Sequence, residues 1–207
     1  MGTRHLIGVY NNGEYKIAQY GQWDGYPEGQ GVTVLQFLKD NDLVNKLKAN
    51  LGKCKFLKDK EEVDRLNELL HKGDKATVKW FETYITRDLG ADILESVANS
   101  TDDEIVLSNH IDFAKDSLFC EWAYIIDFDK NVLEVFKGFN KEKLSPTERF
   151  YDANFVSDNE YEPIRLIATF ALDDLPEKDD FVLTLNKLAR QLDDEDDESV
   201  TMEGARA

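Results

Sequence analysis

His5-Leu6-Ile7-Gly8-Val9-Tyr10-Asn11-Asn12-Gly13-Glu14-Tyr15-Lys16-Ile17-Ala18-Gln19-Tyr20 is the stretch on which the fold turns. Residues 5–10 and 14–20 are dominated by β-branched, aromatic and other apolar side chains, which predicts two strands. Between them Asn12-Gly13 supplies the positive φ values of a tight turn, so the strands pair as an antiparallel hairpin. In the second strand Tyr15, Ile17 and Gln19 alternate with Lys16, Ala18 and Tyr20. One face is therefore free to join a core while Tyr20 leads out of the sheet.

Directly after the hairpin comes Gln19-Tyr20-Gly21-Gln22-Trp23-Asp24-Gly25-Tyr26-Pro27-Glu28-Gly29-Gln30-Gly31. Seven of the twelve glycines of the chain fall within its first 31 residues, so backbone geometry rather than side-chain packing is being specified there. Gly21, Gly25, Gly29 and Gly31 can turn amides toward a ligand, and the helix that follows adds a positive N-terminal dipole end. The phosphate-loop pattern G-x-x-x-x-G-K-[ST] is absent, and the glycine spacing is not that of a dinucleotide fingerprint. The competing account is an ordered Ω-like loop packed by its own aromatic rings.

Beyond the loop, residues 32–38 read as a helix with Val34, Leu35 and Leu38 on its buried stripe. Residues 43–51, 59–71, 76–86 and 89–98 continue a helical layer, with Val63, Leu66, Leu69 and Leu70 expected as a core stripe and Trp80, Phe81 and Tyr84 as an aromatic cluster. Strands return at 104–108, 119–128, 132–136 and 163–172, the second and third joined by the turn 129–131. A closing helix spans 181–192. The expected fold class is α+β in one domain, 1–192: an antiparallel sheet built from the N-terminal hairpin and later strands, a central helical layer and a C-terminal helix. Residues 193–207, opening with six consecutive acids, read as a disordered acidic tail.

Composition narrows the function classes. The 207 residues are 42% hydrophobic and 32% charged, enough to bury a core. The longest apolar run, around Trp122-Ala123-Tyr124-Ile125-Ile126, is far below the ~20 residues of a membrane span. No basic segment followed by an apolar block marks a secretory leader, so a soluble, cytoplasmic protein is expected. Cys54 and Cys120 stand apart, without metal or redox spacing, and read as reduced thiols. A net charge of −17 argues against direct nucleic-acid binding and leaves open an acidic surface that mimics nucleic acid toward a protein partner. No cofactor is indicated. His5, His71 and His110 have no ligand spacing, so no metal site is expected.

Within the loop, Tyr20, Trp23 and Tyr26 are candidate stacking platforms, and Gln22, Asp24 and Gln30 can read an amide, a ribose or a base edge. Asp24 before Gly25 is equally a turn-former, and an aromatic residue before Pro27 raises the chance of a cis bond, with trans the default. The hairpin carries Thr3, Arg4 and His5 back toward Tyr20 and Gln22, where Arg4 either pairs with Asp24 or holds a ligand carboxylate or phosphate.

Met1-Gly2-Thr3-Arg4-His5-Leu6 together with Tyr20-Gly21-Gln22-Trp23-Asp24-Gly25-Tyr26-Pro27-Glu28-Gly29-Gln30-Gly31 resembles an uncharacterised family of phages, bacteria and fungi. The likeness covers the first 38 residues well and the remainder in outline. Some members of that family carry cysteine where this chain has Gly2. An N-terminal strand, a hairpin, helices and further strands are similar to the start of an N-terminal nucleophile hydrolase, in which the first mature residue attacks and its own amine is the base. Removal of Met1 here exposes Gly2, which has no nucleophile, so that reading requires trimming to Thr3. Three functions follow: a small-ligand site, or enzyme, at the N-terminus and loop, taking an amide-containing or nucleotide-like molecule through Arg4, Tyr20, Gln22, Trp23, Asp24, Tyr26 and Gln30; a phage-encoded acidic protein that inhibits a host enzyme; and an amide hydrolase using Thr3 or Asp24.

Overall fold

The computed structural model describes residues 2–58, 60–157 and 159–204, with backbone alone from 193 onward. It is α+β. Strands β1 (His5–Asn11) and β2 (Glu14–Gly21) form the expected hairpin. Asn12 and Gly13 take φ values of 55° and 80°, the two left-handed residues a tight hairpin turn demands. Both turn amides donate to the carboxylate of Asp129, each at 2.8 Å, which ties this turn to the one between β5 (Trp122–Asp127) and β6 (Val132–Lys137).

Together with β7 (Arg165–Ala171) these strands make a five-stranded sheet in the order β2-β1-β5-β6-β7. The sheet is mixed rather than antiparallel throughout, because β1 runs parallel to β5, with His5 opposite Trp122 and Val9 opposite Ile126. That pairing needs a long crossover, which the helical middle of the chain supplies. All six residues of β5 are buried, as expected of a central strand covered on both faces.

Alternation divides the sheet between two cores. Ile7, Val9, Tyr124, Ile126, Leu133 and Val135 face the helices, while Leu6, Ala123, Ile125 and Phe136 face the other way. The helical layer comprises α1 (Val32–Lys39), α2 (Asn41–Asn50), α3 (Lys60–His71), α4 (Lys75–Tyr84), α5 (Asp92–Ala98) and α6 (Lys178–Gly204). Asp40 caps α2 by accepting from the amides of Asp42 and Leu43, and Asp74 caps α4 through Thr77. The buried amide of Asn50 donates to the carbonyls of Val97, Ala98 and Ser100 at 2.9, 3.2 and 3.0 Å, closing the C-terminal end of α5. The opposite face of the sheet is covered by a 3-10 turn, Ile111–Lys115, and by Phe150 and Ile164 from the irregular stretch after β6.

Several expectations are corrected. Residues 104–108 do not edge the main sheet: β4 (Ile105–Leu107) pairs in parallel with β3 (Cys54–Phe56), a three-residue strand too short to carry a periodic signal. The stripe of α3 is not core, since no residue of that helix is buried. The closing helix α6 has wider bounds than 181–192, from Lys178 to Gly204, and 205–207 lie outside the described residues. Among the described residues no peptide bond is cis, so Tyr26-Pro27 is trans, and no helix is long and apolar enough to cross a membrane.

Candidate functional site

The N-terminal segment and the glycine-rich loop do meet, at the end of the sheet where His5 lies opposite both Gly21 and Trp122. The Thr3 carbonyl accepts from the Gly25 amide at 2.9 Å. Next to this bond the imidazole of His5 is fully buried, and neither ring nitrogen has a hydrogen-bond partner. A Cβ on Gly21 would collide with that ring, and one on Gly25 would come within 2.7 Å of the His5 Cβ. These glycines make room for a histidine; they do not turn their amides outward. Burial lowers the His5 pKa from 6.5 to about 4, against the opposing pull of the Thr3 backbone and the Asp24 carboxylate.

The loop closes on itself. Asp24 is left-handed (φ 57°) and its carbonyl accepts from the Gln30 amide at 2.8 Å. The wide helical turn Pro27–Gly31 follows, and the Gly25 carbonyl accepts from the Tyr124 hydroxyl at 3.0 Å. Burial holds that phenol well above its ordinary pKa, so it remains a donor. Side chains anchor the loop to the segment before α5: Trp23 Nε1 donates to Asp88 at 2.8 Å, and Gln30 Oε1 accepts from the Ala91 amide at 2.7 Å. The Tyr20 hydroxyl donates to Gln22 Oε1 at 2.6 Å, and the Tyr26 hydroxyl to Asp24 at 3.2 Å, where the carboxylate raises the tyrosine pKa.

Of the expected ligand contacts, therefore, Tyr20, Gln22, Asp24 and Tyr26 direct polar atoms to one another within the loop, and Trp23 and Gln30 direct theirs to Asp88 and Ala91 before α5. Arg4 does not pair with Asp24. Its guanidinium carbon lies 4.4 Å from the centroid of the Phe119 ring, its backbone exchanges hydrogen bonds with Glu121, and its buried Nε has no partner. Phe119 borders a cleft of about 260 Å³ shared with Ser117 and Tyr161. Arg4, Trp23 and Asp24 line none of the four clefts seen among the described residues.

What this end of the molecule offers to solvent is ring surface. Trp23 is 47% exposed, Phe119 42% and Tyr26 40%, and Phe139, just beyond the β6 end that faces Trp122, is 36% exposed. Phe119 gave no sequence signal, since one phenylalanine beside a buried cysteine looks like core.

Thr3 and Asp24 share no side-chain hydrogen bond among the described residues, and a side chain at position 2 would collide with the Gln22 carbonyl and the Trp23 ring. Among the described residues no three histidines, cysteines or acids are grouped to hold a metal ion. A second polar cluster, unforeseen from sequence, sits on the sheet: Arg149 pairs with the buried Asp127 and Glu134 and lies against the contacting rings of Tyr10 and Tyr15. Its acceptors are all within the protein, which makes it a structural tie.

No protein-family model, no curated protein and no solved structure matches this chain. The likeness to N-terminal nucleophile hydrolases is not confirmed by the five-stranded mixed sheet and the separate β3–β4 pair.

Proposed function

We propose that the protein binds a flat, amide-containing or nucleotide-like small molecule at the end of the sheet formed by residues 2–5 and the loop 19–31. It does so without chemistry of its own. One observation carries the reading: the loop is fixed by internal hydrogen bonds, yet leaves the faces of Trp23 and Tyr26 exposed. A rigid platform of this kind loses little entropy on stacking. Arg4, whose guanidinium lies over the exposed Phe119 ring, is the cation this reading assigns to an acceptor group on the same ligand. Tryptophan fluorescence titrated with adenosine monophosphate and with nicotinamide tests this. Saturable quenching that Trp23→Ala abolishes and Arg4→Met weakens is expected. If neither compound quenches saturably, the reading is wrong.

The same exposed rings also favour a second reading, a protein-interaction surface, since aromatic residues are enriched at interface centres. Under it, Trp23→Ala together with Phe119→Ser abolishes capture of a protein partner while leaving small-molecule titrations flat.

A further inference from the structure

The helix whose apolar stripe fails to reach the core marks a second site. Val63, Leu66 and Leu70 of α3 stand across a cleft of about 270 Å³ from Trp80 and Phe81 of α4 and from Ile85, which caps that helix. None of these six is fully buried; Val63 is 38% exposed. In a chain of which 32% is charged, no Asp, Glu, Lys or Arg among the described residues lines this cleft. A charged occupant would enter without a counter-ion and lose its hydration.

One wall is polar and has a defined direction. His110 lines the cleft together with Asn109. The Tyr20 amide donates to His110 Nδ1 at 3.3 Å. In the neutral ring an accepting Nδ1 places the proton on Nε2, which makes His110 a donor through its other nitrogen. Burial lowers the ring's pKa, against the opposing pull of the Ala18 backbone carbonyl. The Asn109 carbonyl oxygen already accepts from the Ile111 amide at 3.0 Å, so its NH2 remains to donate. The Trp80 indole, by contrast, donates to the Val106 carbonyl at 3.0 Å, so toward the cleft it is apolar surface.

We infer that the α3–α4 cleft is a binding site for an uncharged aromatic or short acyl compound bearing one carbonyl, seated between the apolar stripes of the two helices with its oxygen toward His110 and Asn109. The size excludes a docked helix: about 270 Å³ lies at the small end of ligand sites, below what a helix of several anchoring side chains requires. The absence of charge from the walls excludes nucleotides and carboxylates. This site is separate from the one at Trp23, which does not line the cleft.

Prodan, a neutral naphthyl ketone whose emission reports polarity and hydrogen bonding at the carbonyl, is the probe. Full-length protein is expected to bind it saturably, one to one, with blue-shifted emission. Leu66→Glu and, independently, Val63→Lys place a charge on the apolar wall from an unburied helix, and each weakens binding by about tenfold or more. His110→Phe keeps a ring of similar size but removes the donor, so affinity falls several-fold and emission of the bound probe moves further to the blue. Trp23→Ala leaves the titration unchanged, which separates this site from the loop platform. Non-saturable prodan binding, or equal affinity in wild type and Val63→Lys with both shown folded by circular dichroism, overturns the inference. Unchanged affinity and emission in His110→Phe overturns the assignment of the oxygen to His110.

Discussion

His5 is held in the wrong protonation state for acid. Its folded pKa of about 4 lies below the unfolded value of 6.5, so as the pH falls through that window the unfolded chain takes up the proton first and stability is lost. Above about pH 6.5 the contribution is flat; by pH 5 it amounts to about 2 kcal/mol against the fold, approaching about 3 kcal/mol near pH 4. Urea unfolding of wild type and His5→Gln at pH 7 and pH 5 should show the wild type losing about 2 kcal/mol more than the variant. The same packing predicts that Gly21→Ala costs about 2–3 kcal/mol, because its Cβ meets the imidazole, and that much of this cost disappears when His5 is also Ala. A double-mutant cycle by chemical denaturation measures it. The sequence announced the glycines but not their purpose. Four glycines in thirteen residues signal close approach, and only the three-dimensional pairing of His5 with Gly21 shows that a side chain of the protein itself fills the space.

Elements differ in how firmly they are held. Removing Arg149 leaves Asp127 and Glu134, both nearly sealed from water, with the exposed Lys130 as their remaining cation, so Arg149→Met should cost about 3 kcal/mol. The loss should come with faster proteolysis within 139–164, the irregular stretch that Arg149 fastens to β5 and β6. At the other extreme is α3, with no buried residue. Its amides are expected to exchange with solvent through local opening well ahead of those of α5, whose Ile93, Leu94 and Val97 are sealed in the core. Exchange monitored by mass spectrometry separates the two, and equal protection would contradict it. The heptad-like leucines of α3 looked like core in the sequence, because periodicity reports an apolar face and is silent on what covers it. The hairpin at Asn12-Gly13 was legible because two adjacent residues of known φ preference decide it locally.

Across the whole molecule the acidic excess of −17 is spread over a small surface, so self-repulsion opposes compactness. Raising sodium chloride from about 10 mM to about 100 mM, which shortens the screening length from about 30 Å to about 10 Å, should raise the urea midpoint. A basic protein domain of equal size would respond less only if its charge were nearer zero. The α+β class, the helical layer and the strand order within each hairpin were readable from pattern and turn chemistry. The parallel union of β1 with β5 was not, because no local residue choice records which strand 117 residues away will lie alongside. That union also sets a schedule. The first hairpin emerges from the ribosome early, yet one side of β1 stays unpaired until Trp122–Asp127 follow, and the Asn12 and Gly13 amides wait for Asp129. At bacterial and eukaryotic synthesis rates the delay is on the order of 5 to 20 s, during which a strand of Leu6, Ile7 and Val9 has an open edge. A newly made chain therefore passes through an interval of vulnerability, closed when the carboxylate of Asp129 fastens the two turns together.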